Sequence, residues 1–157
     1  MISIIGIGNA ASAIVEKFGE IPQYDIYLMN SSVEKNTKNT FKLNTHDSPE
    51  LYEKDIPNLK SFFKNLKDRV QVFIVGSSYS SIYSLGILQQ IKSKEVEIFY
   101  IKPDIELLTG IPQLVENTVY GVLQEYTRSG LFKTFTIFSN ESIERVRDNI
   151  NLKNYYD

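Results

Sequence analysis

Apolar residues along this chain fall into short unbroken runs separated by stretches of roughly 3.6-residue period, the alternation expected of a parallel sheet with crossover helices. Ser3 to Ile7 is a β-branched run punctuated by Gly6 and Gly8 and reads as a buried strand. Ala10, Ala13, Ile14 and Phe18 recur at helical spacing and Gly19 offers a C-cap, which predicts a helix over Asn9 to Phe18. Tyr24 to Met29 reads as a second strand, and the βαβ order implies a right-handed crossover.

Residues 30–49 are the most polar part of the chain, with one short strand expected around Thr40 to Leu43. Glu50 to Leu66 carries Leu51, Ile56, Leu59, Phe62, Phe63 and Leu66 in a helical pattern interrupted at Pro57, and a helix is expected above all from Ile56 to Lys67. Val70 to Val75 is continuously apolar, as in a strand covered on both faces. A helix is expected from about Ser80 to Lys92 with Ile82, Leu85, Ile87, Leu88 and Ile91 inward, followed by a strand over Val96 to Ile101 that Lys102-Pro103 stops. Pro112 to Ser129 carries Leu114, Val115, Thr118, Val119, Val122, Leu123 and Tyr126 on one stripe, with Gly130 as its C-cap. Leu131 to Phe138 reads as a last strand, and Ser139 to Val146 opens a helix capped by Ser139 or Asn140. These elements define an α/β fold: a three-layer, doubly wound, mostly parallel sheet of about five strands. The domain spans residues 1–150 and leaves 151–157 as a tail.

Composition narrows the function classes. The 157 residues are 42% apolar, with ten Tyr and nine Phe, enough for one packed core. A net charge of −2 supplies no global field for nucleic acid, and Lys60, Lys64 and Lys67 read as a solvated face. Without cysteine there are no disulfides or thiolate metal sites. No apolar run reaches the ~18 residues that span a bilayer, and the N-terminus lacks the charged start of a signal peptide. The expectation is a cytoplasmic protein with no membrane span.

Candidate chemistry sits at strand ends. In open parallel sheets ligands bind beyond the carboxyl ends of the strands, where backbone N–H groups and helix N-termini converge. Three such ends stand out: Gly6-Ile7-Gly8-Asn9, Asn30-Ser31-Ser32, and Gly76-Ser77-Ser78-Tyr79-Ser80-Ser81. A dinucleotide fingerprint would need glycine where Ala11 stands and an acid where Asn30 stands, which weakens an NAD(P)-binding reading. No Walker A loop is present. His46 reads as a surface histidine beside Asp47, and Asp47, Glu50, Glu53 and Asp55 as a solvated acidic stretch rather than a metal site.

The order of these motifs resembles the nucleotide-binding half of the tubulin/FtsZ superfamily over nearly the whole chain. "IIGIGNAASAIVEKF" is similar to that family's opening strand, glycine loop and Asn-Ala, which places Asn9 and Ala10 on the pair. "DIYLMNSS" places Asn30 on the asparagine that ends its second strand. "VQVFIVGSSYSSIYS" falls where the family carries its Gly-Gly-Gly-Thr-Gly-Ser/Thr-Gly loop. "VEIFYIKP" places Lys102 and Pro103 on its Lys-Pro, and "FTIFSNESIERV" places Asn140 on a later asparagine. The resemblance implies a GTP or GDP site built from Gly6, Gly8, Asn9, Asn30, Gly76, Ser77, Ser78, Ser80, Ser81, Lys102, Pro103 and Asn140.

The departures all strike that site. The first loop lacks several of the family's glycines, and the second keeps only Gly76 and is shorter. The sequence also stops before the region where the family places the acidic loop with which a neighbouring subunit orients the attacking water, so either a fragment or a reduced relative is expected. Two classes of function follow: a guanine nucleotide-binding module that governs self-association, or a degenerate relative kept as an assembly or interaction part, without GTP hydrolysis. The glycine-poor loops favour the second, in which Tyr79 and Tyr83 fill the vacated pocket or face a partner, which is another copy or another protein subunit.

Overall fold

The computed structural model describes residues 1–76, 81–102, 110–130 and 132–139. Ile2–Ile7 forms β1, Tyr24–Asn30 β2 and Thr40–Lys42 β3; Arg69–Val75 forms β4, Glu95–Lys102 β5 and Thr134–Ser139 β6. The helices are α1 (Asn9–Glu16), α2 (Pro49–Lys54), α3 (Ser81–Gln90) and α4 (Ile111–Arg128). All neighbouring strands pair in parallel, in the order β3-β2-β1-β4-β5-β6. Among the described residues the sheet has six strands rather than about five, because the short β3 and the later β6 both join it. No described helix is long and apolar enough to cross a membrane.

The continuous apolar runs of β1, β4 and β5 follow from coverage on both faces. Side chains alternate across the sheet. Gly6 faces α1, with its Cα side against Ala11, Ser12 and Val15. Ile5 and Ile7 point the other way, into the main core with Val72, Ile98, Leu88 and Val119. On the α1 side Phe73 stacks on Phe99 with centroids 5.0 Å apart, Phe99 stacks on Phe138 at 6.1 Å, and Phe18 meets Phe73 at 5.9 Å.

Several expectations are corrected. Residues 56–67 form turns, not a helix, and the helix of this crossover is the earlier α2, with Pro49 in its first turn. Pro57 disfavours helical geometry at Ile56, and Leu59, Phe63 and Leu66 reach the core from successive turns instead. Gln90 fixes their start: its Oε1 accepts from Leu59 N–H at 2.8 Å and its Nε2 donates to the Pro57 carbonyl at 2.8 Å.

The phase of α1 is also shifted. Ala11, Ser12 and Val15 are buried while Ala10 and Ala13 are exposed, because close approach to Gly6 selects the small residues one position later. The helix stops at Glu16 and continues as a 3₁₀ turn over Lys17–Glu20, so Gly19 is no C-cap; a Cβ there would press on Ile26. In α4, Leu114 is 61% exposed and Glu116 is buried in its place.

Candidate functional site

β1 and β4 are adjacent strands whose following helices cover opposite faces, so the sheet has its switch point between their carboxyl ends. Ile7 pairs with Met29 on one side and Ile74 on the other, which brings Gly8, Asn30 and Gly76 to one rim.

Gly8 makes the turn from β1 into α1. Its φ of 95° lies in the left-handed region that favours glycine. Its N–H donates to the Met29 carbonyl at 2.7 Å, and its carbonyl accepts from Ser12 N–H at 2.9 Å. No side chain caps α1. Asn9 spans the rim: Nδ2 donates to Ser31 Oγ at 3.3 Å, and Oδ1 accepts from Ser32 Oγ at 3.0 Å. Asn30 is buried and closes an Asx turn, with Oδ1 accepting from Ser32 N–H at 2.9 Å and Val33 N–H at 3.0 Å. Gly6, Gly8, Asn9 and Asn30 therefore come together, and each has a role in the turn itself.

Gly76 lies outside the left-handed region; among the described glycines Gly8, Gly110 and Gly130 occupy it. Its N–H donates to the Ile101 carbonyl at 3.0 Å. Where its Cβ would be stand the Tyr100 hydroxyl and a Glu116 carboxyl oxygen, and either would collide with it. Tyr100 donates its hydroxyl hydrogen bond to Glu116 Oε2, and both side chains are buried. Burial first, and the Glu116 hydrogen bond second, hold the Tyr100 hydroxyl pKa well above its ordinary value.

A phosphate cradle at this turn needs converging donors. The Tyr100–Glu116 pair accounts for the missing Cβ without an anion, and a carboxyl group is an acceptor that competes for the same donors. The start of α1 beside Gly8 has no side-chain cap, whereas an acceptor stands against Gly76.

Of the remaining expected residues, Ser77, Ser78, Ser80, Pro103 and Asn140 lie outside the described residues, as does Tyr79. Ser81 opens α3, is buried, and accepts from Ser84 Oγ through its carbonyl. Lys102 sends its ammonium over the Tyr120 ring, 4.5 Å from the centroid. Tyr83 is buried and presents no contact surface. Its ring meets Tyr52 edge-on at 5.0 Å.

One cluster escaped the sequence reading. His46, expected to be a surface histidine beside Asp47, pairs with Asp55 instead, its Nε2 2.8 Å from Oδ2. Asn44 Nδ2 donates to the same oxygen at 3.0 Å and the Tyr83 hydroxyl at 3.1 Å. His46 also stands edge-on to Tyr52 at 5.0 Å. The Asn44 hydrogen bond, then that of His46, lowers the Asp55 pKa below the ordinary carboxylate value. Glu116 was missed as well, although it sits three residues before Val119 and seven before Leu123, on the buried stripe of α4. Among the described residues no group of three or more acidic or imidazole side chains is placed to hold a metal.

The fold is tubulin/FtsZ-like. The chain is similar to a solved structure described as a protofilament of TubZ from bacteriophage PhiKZ, with a TM-score of 0.65 over 96% of this chain at 17% identity. It spans 53% of that protein's length. No protein-family model matches the sequence, and neither does any curated protein.

Proposed function

We propose that this chain is a degenerate tubulin/FtsZ-like domain that acts as an assembly or interaction part without GTP hydrolysis. The observation that carries this reading is the environment of Gly76, where Tyr100 and Glu116 stand against the one glycine that the second loop keeps. The fold likeness to a protofilament-forming protein supports self-association as the activity that remains.

A second reading, a GTP- or GDP-binding module, draws support from the uncapped start of α1 and the left-handed Gly8 at the same rim. Titration with a fluorescent GTP analogue and thermal melting with GTP and GDP separate the two. A ligand at ~100 times its Kd stabilises by about 2.7 kcal/mol, a shift of several degrees. The first reading expects no shift at millimolar nucleotide; a saturable shift overturns it. Light scattering and negative-stain microscopy of the pure protein then test assembly, and a strict monomer that captures no partner counts against both readings.

A further inference from the structure

The turns that replace the expected helix over 56–67 open a cleft of about 360 Å³ between them and the β3 edge of the sheet. Its floor is aromatic: Phe62 meets Tyr27 edge-on at 5.4 Å and Phe41 at 5.4 Å with a 58° tilt. Lys38, from the loop before β3, and Lys64 and Asn65, from the turns, stand on the rim. Lys38 and Lys64 are exposed, and neither is ion-paired among the described residues. No described carboxylate lines the cleft.

We propose that this cleft binds a small aromatic anion, its ring seated on Phe41 and Phe62 and its carboxylate or sulfonate held between Lys38 and Lys64. The volume falls within the range of small-molecule sites, and an apolar floor with a few convergent polar groups is their usual construction. The ring edges favour offset or edge-to-face contact with a flat apolar body. Two ammonium groups stand on one rim, neither in an ion pair among the described residues and with Asp25 and Asp68 lining only the hollow on the far side of Lys38, so the cleft favours negative charge. The residues that line the cleft are not those of the Gly8–Gly76 rim, so this inference stands apart from the nucleotide question.

The test uses the whole chain and two probes: 2-naphthoate, followed by calorimetry and amide chemical shifts, and the uncharged 2-naphthalenemethanol. Naphthoate is expected to bind saturably, to shift amides around Phe41 and Phe62, and to weaken as salt is raised. The K38E/K64E variant is expected to lose about tenfold in affinity, while K17E/K92E, at sites outside the cleft, binds as the natural chain does. Circular dichroism and thermal melting are expected to find both variants folded, since all four lysines are exposed. Equal affinity for the alcohol, unchanged binding by K38E/K64E, or no saturable binding at millimolar naphthoate overturns the proposal.

Discussion

The Tyr83 hydroxyl shares its proton between the Asn44 carbonyl at 2.9 Å and Asp55 Oδ2 at 3.1 Å, which ties the first turn of α3 to the residues just after β3 and just after α2. Removing the hydroxyl leaves the Asn44 carbonyl and Asp55 Oδ2 without the donor that the buried Tyr83 brings them. Tyr83→Phe is therefore expected to cost about 1–2 kcal/mol. Urea unfolding measures this, and a change below a few tenths would refute the tie.

Asp55 makes the same cluster sensitive to acid. Its folded pKa lies below the ordinary value, so the unfolded chain binds the proton more tightly. The stability it contributes is present above the ordinary carboxylate pKa and is lost as pH falls through the lowered one. The side chain is 40% exposed, so the effect is small. The difference in melting temperature between the natural chain and Asp55→Asn is expected to shrink steadily on acidification below about pH 4; a constant gap contradicts the assignment.

Two glycines predict opposite outcomes for the same substitution. Gly76→Ala pushes a methyl group into the Tyr100 hydroxyl and the Glu116 carboxyl, and overpacking of this kind costs about 1–3 kcal/mol. Gly121 lies within α4 with nothing within 4 Å of its Cβ position, so Gly121→Ala is expected to stabilise by about 0.5–1 kcal/mol. Parallel denaturant titrations of the two variants give the signs directly.

Asn30 is predicted to hold its rim whether or not any ligand binds. Its side-chain oxygen satisfies two backbone N–H groups, those of Ser32 and Val33. Asn30→Ala should cost about 1–2 kcal/mol and speed hydrogen exchange at both amides. Natural-like protection there would show that the turn closes without it.

Much of this architecture is readable from the order of residues, because β1, β4 and β5 are apolar runs bounded by turn residues, and that pattern admits few alternatives. Strand ends in turn locate the rim, so Gly8, Asn9 and Asn30 were found. What stayed hidden depends on contacts distant in sequence. A helical spacing at Leu59, Phe63 and Leu66 cannot reveal that the side chain of Gln90 replaces the helix's own hydrogen bonds. The phase of α1 depends on Gly6, not on its own apolar residues. Gly76 signals missing bulk in the sequence without saying what occupies the space. Tyr100 and Glu116, on two other elements, occupy it.

The placement of β1 beside β4 has a consequence for how the chain is made. Ser3 pairs with Val70 and Ile7 with Ile74, so β1 waits for some sixty following residues to be made before one of its flanks is closed. Such distant parallel pairings raise contact order and slow the search for the native state. On the ribosome, the flank of β1 that β4 later takes stays open to strangers until Val75 has left the exit tunnel. The centre of the finished sheet is thus the last part of the early chain to be secured, and chaperone dependence is most to be expected in that interval.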